Sequence, residues 1–139
     1  MATQMQAARA GKITEAMKEV AAQERQSPET IRERVAKGTV AICANPNHTG
    51  VKPAGVGEGL RVKVNANIGT SSDFPDLAPE LEKLKEAVRC GADAVMDLST
   101  GDHIGASRRA IIGQSPVMVG TVPIYEATVT AMKERGAVV

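Results

Sequence analysis

From residue 60 onward, three short apolar runs each lead into a stretch with helical spacing, and this alternation limits the folds open to the chain. The runs are 62–68, 92–99 and 117–122, followed by helical patterns over 77–90, 103–112 and 125–135. Strand and helix in strict alternation call for a parallel sheet with helical crossovers, an α/β architecture. The first run alternates Val62, Val64, Ala66 and Ile68 with Arg61, Lys63, Asn65 and Asn67, so it reads as a strand with one buried face. Gly69-Thr70-Ser71-Ser72 then supplies backbone N–H groups and hydroxyls. Asparagine is depleted from strands, so Asn65 and Asn67 mark either a ligand wall or, with Ile68 and Gly69, a turn.

The first third reads as helical. Ile13, Met17, Val20 and Ala21 share one helix face, and Ser27-Pro28 opens a second helix that carries Ile31 and Val35 and stops at Gly38. Residues 39–44 form a short apolar strand. The stretch 45–59 is dense in Gly, Pro and Asn and reads as a loop, either a linker or functional. It divides the chain into an N-terminal helical and mixed domain, 1–58, and a second domain, 59–139. Gly55-Val56-Gly57-Glu58-Gly59 precedes a strand instead of opening a helix, which excludes a dinucleotide-type glycine loop.

Composition narrows the function classes. Phe74 and Tyr125 are the only aromatics, and the formal net charge is +1. The chain therefore lacks both a base-stacking platform and a polyanion footprint, and no nucleic-acid partner is expected. No run is long enough for a membrane span, so no membrane partner is expected and a cytoplasmic location is. Cys43 and Cys90 fit neither a disulfide framework nor a metal pair, and His48 and His103 lack zinc-ligand spacing.

Ligands of parallel α/β folds bind beyond the C-terminal strand ends. That rule selects Asn65/Asn67 with 69–72, Met96-Asp97 with 99–101, and Gly120-Thr121 with Pro123 and Tyr125. Asp97 is open to three roles there: general base, metal ligand or hydrogen-bond anchor. No nucleophile motif or catalytic cluster accompanies these groups.

Four blocks carry a resemblance: 5–14 (MQAARAGKIT), 64–71 (VNANIGTS), 92–101 (ADAVMDLSTG), and Ser115-Pro116 continuing to 120–125 (GTVPIY). Together they are similar to the phosphomethylpyrimidine synthase family, over essentially the whole chain. The resemblance implies the first three βα units of a (β/α)8 barrel behind the N-terminal domain. It also implies radical S-adenosylmethionine chemistry with a 4Fe-4S cluster and a zinc ion, acting on 5-aminoimidazole ribonucleotide in thiamine biosynthesis, in a dimeric enzyme. By motif, the substrate-contacting positions are Asn67, Met96 and Tyr125.

The family's C-x-x-C-x-x-x-x-C motif, metal-binding histidines and later substrate segments are missing from this sequence. No catalytic or metal-binding residue is therefore assigned, and the expectation is an N-terminal portion inactive alone. The alternative is a ribonucleotide-binding or interaction module that needs a partner to complete the barrel. Asp102-His103-Ile104 replaces the family's usual Gly-Asp-Ile, and Cys43 stands where proline is common.

Overall fold

A computed structural model describes residues 2–137 and separates the chain into two compact units, Met1–Lys63 and Val64–Val139. Together they form a mixed α/β chain. Three helices open the first unit: α1 (Gln4–Arg9), α2 (Glu15–Glu24) and α3 (Pro28–Lys37). Each begins at a side-chain cap. Thr3 and Gln6 form a reciprocal capping box, Thr14 accepts the Met17 N–H, and Ser27 accepts the Thr30 N–H ahead of Pro28. Helix α3 stops at Gly38, whose φ of 81° is the left-handed C-cap its position predicts.

The helices bury Ala8, Met17, Val20, Ala21, Ile31 and Val35 against Val40, with Ile13, Ile42 and Leu60 at the margin. Each large aliphatic buried this way contributes about 1.5–3 kcal/mol. Strand β1 (Val40–Cys43) pairs antiparallel with β2 (Ala54–Gly57), from Val40 opposite Gly57 to Cys43 opposite Ala54. Strand β2 lies inside the stretch expected to be loop throughout. Its glycines are a packing requirement. A Cβ on Gly55 would stand 2.6 Å from Val20 Cγ1, and one on Gly57 would stand 2.2 Å from the Thr39 carbonyl oxygen.

The second unit alternates β3 (Asn65–Ile68), α4 (Leu77–Arg89), β4 (Ala94–Asp97), α5 (Ile104–Gln114), β5 (Met118–Thr121) and α6 (Pro123–Arg135). Its strands form a parallel sheet in the order β3-β4-β5. Ile68, Leu84, Val95 and Ile111 make the core, with Ala66, Leu81, Val88 and Val119 packed against it.

Strand β3 is shorter than the alternating pattern predicts. Val62 and Val64 are 84% and 57% exposed, so the expected buried face survives only at Ala66 and Ile68. The reason is a contact that alternation cannot encode. The Glu24 carboxylate accepts the Arg61 N–H and the Lys63 ammonium, each at 2.7 Å, and Lys63 also donates to the Arg61 carbonyl. Leu60 packs into the first core. The chain thus leaves the first unit after Lys63, where the expected division fell after residue 58.

Candidate functional site

Side chains alternate across a strand, and in the parallel sheet Ala66, Val95 and Val119 share a row that faces the helix-packed core. The neighbouring row is Asn67, Met96 and Gly120, cross-strand partners whose side-chain direction is opposite. Asn65, Ala94 and Met118 form the row before it on that same face. Asn65 and Asn67 are exposed, Met96 is half-buried, and the Asn65 amide donates to Asn67 Oδ1 at 3.1 Å. The structure therefore brings two of the expected contact residues, Asn67 and Met96, side by side on the face away from the second core.

Tyr125 occupies a different kind of position. It lies past β5 in the first turn of α6, 38% exposed, with its backbone N–H bonded to the Val122 carbonyl. Helix α6 begins at Pro123, earlier than periodicity places it, because proline suits the first helical turn.

The hydroxyls at the strand ends hold loops to one another. Asp97, 4% exposed, accepts both the Ser99 N–H at 3.0 Å and the Ser99 hydroxyl at 2.6 Å. Ser99 Oγ in turn accepts the Thr70 N–H at 3.1 Å. The backbone continues the pairing, with Leu98 N–H to Ile68 O and Thr100 N–H to Thr70 O. Of the three roles open to Asp97, these bonds fit the hydrogen-bond anchor. Ser71 Oγ accepts the Phe74 N–H and closes a turn. The face of this sheet away from the second core carries the amides of Asn65 and Asn67 and the thioethers of Met96 and Met118.

One participant was missed by sequence reasoning. Glu80 sits on α4 and is 3% exposed, and its Oε2 accepts the Gly69 N–H at 2.6 Å while Oε1 meets Lys83 at 2.5 Å. Gly69 has φ 142°, and a Cβ there would stand 2.5 Å from the Ser99 nitrogen, so the two loops touch backbone to backbone. A charged residue one helical turn before Leu84 was the available signal, since it faces the sheet. Thr70 Oγ1 is buried there without a hydrogen-bond partner.

Cys43 and Cys90 are both free thiols. Cys90 ends α4, and the Glu86 carboxylate that its thiol meets at 3.5 Å pushes its pKa up, away from thiolate chemistry. Among the described residues no three His, Cys, Asp or Glu side chains gather as a metal site, and no helix is long and apolar enough to cross a membrane.

Comparison with known proteins covers nearly the whole length of the chain. The model of the Radical SAM ThiC family matches residues 3–139. The phosphomethylpyrimidine synthases of Moorella thermoacetica and Desulforamulus reducens are each 56% identical to this chain over 137 residues, covering 99% of it and 32% of themselves. That of Geobacter metallireducens is 53% identical over 133 residues, 96% of this chain and 30% of the relative. The chain spans about a third of the length of these relatives, and at such identity across nearly all its residues it belongs to the Radical SAM ThiC family.

Proposed function

We propose that this chain supplies one wall of the substrate site of a phosphomethylpyrimidine synthase, which converts 5-aminoimidazole ribonucleotide to 4-amino-2-methyl-5-phosphomethylpyrimidine in thiamine biosynthesis. In this reading the parallel β3-β4-β5 sheet is the start of a (β/α)8 barrel and its Asn67–Met96 face is interior. Asn67 hydrogen-bonds polar groups of the ribonucleotide, Met96 gives a soft apolar contact, and the Tyr125 hydroxyl bonds from the loop end. The whole enzyme works as a homo-oligomer in the cytoplasm.

The observation that carries the reading is the near-complete match to synthases, together with Asn67 and Met96 in one cross-strand row on the face away from the helices.

Radical chemistry of this class would draw on S-adenosylmethionine, a 4Fe-4S cluster as electron donor and, by family resemblance, zinc. The donor set of this chain does not fit that cluster. Iron–sulfur clusters are held by several cysteine thiolates, whereas this chain has two cysteines, one in each unit. No step of the chemistry is assigned to its residues. Their part is binding and orientation.

Calorimetric titration of the chain with 5-aminoimidazole ribonucleotide tests the reading. Binding in the micromolar range that disappears in Asn67→Ala supports a preformed half site. A folded chain that takes up no ribonucleotide overturns it.

A further inference from the structure

Gly120 is the third member of the Asn67–Met96 row, directly opposite Met96 in the β4–β5 register. A Cβ built on Gly120 would stand 2.8 Å from both Met96 Sδ and Met96 Cε. The Met96 thioether therefore lies across β5 in the space that any other residue would fill. Backbone conformation does not demand glycine here, because Gly120 is absent from the positive-φ glycines. The nearest other atom to that Cβ, the Val95 carbonyl oxygen, is at an ordinary 3.9 Å. The glycine serves a side chain, in contrast to Gly57, whose missing Cβ makes room for the Thr39 backbone.

We propose that Gly120 is a positioning residue: it seats the Met96 thioether flat on the sheet and so sets how closely a ribonucleotide can approach the Asn67–Met96 wall. The proposal deepens the reading given under Proposed function and rests on it for the identity of the ligand. Methionine is unbranched and flexible, so an unseated Met96 swings away from β5 at little energetic cost. Swung outward from the sheet, the thioether would stand over the row that carries the Asn67 amide. A methyl at 120 thus narrows the site while leaving the fold intact.

The test labels the methionine methyls and introduces Gly120→Ala, Met96→Ala and the double variant. Among the six methionines, Gly120→Ala should shift the Met96 methyl resonance and leave Met17, buried in the first unit, unchanged. Thermal unfolding should stay near that of the parent. Ribonucleotide affinity should fall about tenfold in Gly120→Ala, as expected for a displaced contact group. In the Met96→Ala background the same change should have no further effect, because the side chain it displaces is gone. An unmoved Met96 methyl overturns the proposal, as does an equal affinity loss from Gly120→Ala in both backgrounds. A parent chain that binds no ribonucleotide overturns the functional reading instead, and the methyl shift still decides the role of Gly120.

Discussion

The two units spend their interiors differently. The first buries an aliphatic set from three helices and a hairpin, and apart from the Glu24–Lys63 ion pair its whole-residue burial is apolar. The buried polar residues Thr70, Glu80, Asp97, Ser99, Ser107 and Ser115 all belong to the second unit. Its apolar core is small, and polar side chains bond the loops that follow β3 and β4. The contrast teaches that a sheet with one face left open is held by polar bonds at its strand ends, where apolar packing has run out.

The sharpest attack on that contrast is Leu84→Ala. Leu84 is 1% exposed in the smaller core, and its truncation should cost about 2–5 kcal/mol. Hydrogen exchange should show protection lost in β3, β4 and β5 while α2 and α3 stay protected. Equal loss in both units would mean that their interiors are energetically one.

Lys63→Ala comes next. Lys63 and Glu24 form an ion pair with side chains 8% and 5% exposed, so removing the ammonium strands a buried carboxylate at a cost of about 3 kcal/mol. Urea denaturation of the first unit reads this directly. The pair also sets a pH dependence. Burial pushes the Glu24 carboxyl up, but the Lys63 ammonium and the Arg61 N–H outweigh it and hold the pKa below the usual carboxylate range. A lowered folded pKa means stabilisation that is complete above the unfolded value, about 4.3. It is lost as pH falls through the folded value beneath that. Denaturation midpoints at falling pH should therefore drop more steeply for the parent than for Glu24→Gln; parallel slopes would remove the pair from the account.

Thr70→Val should move stability the other way. The Thr70 hydroxyl is buried without a partner, and an isosteric methyl relieves a desolvation cost of about 1 kcal/mol. A loss of stability in thermal unfolding would show that the hydroxyl is bonded after all. The smallest effect is expected at His103, which precedes α5 with φ 63° and no side-chain cap bond. Relief of left-handed strain in His103→Gly, less the added chain entropy, should give about 0.5 kcal/mol. A change of the opposite sign would mean that the imidazole makes a stabilising contact worth more than the strain.

Much of this organisation was legible in the sequence, and the failures share a cause. Ser27-Pro28 and Gly38 announced α3 at both ends because caps are local chemistry. The strand–helix alternation after residue 60 likewise gave the order of elements in the second unit. Strand β2 was hidden because Gly55 and Gly57 look like loop residues until Val20 and the Thr39 carbonyl are known to fill the space beside them. The start of β3 was misread because Val62 and Val64 keep the alternation, while Glu24, distant in sequence, takes Arg61 and Lys63 elsewhere. At the proposed site, motif and strand-end position gave Asn67 and Met96 as expectations. Their shared row with Gly120 needed the register, and the diversion of Ser99 to Asp97 needed the fold.

The parallel register has a consequence for how the molecule assembles. Helices and a hairpin close over short lengths of chain, whereas the Thr70–Ser99 bond beside the β3–β4 pairing spans 29 residues. Loop-closure entropy must be met before such pairing returns any free energy, so parallel sheets form slowly. During synthesis the first unit emerges earlier, and its β1–β2 hairpin closes over a shorter length of chain, from Val40 to Gly57, although its Glu24–Lys63 pair spans 39 residues. The wall that carries Asn67 and Met96 is accordingly the late event in folding, and for that interval its strand edges are the surface most open to aggregation.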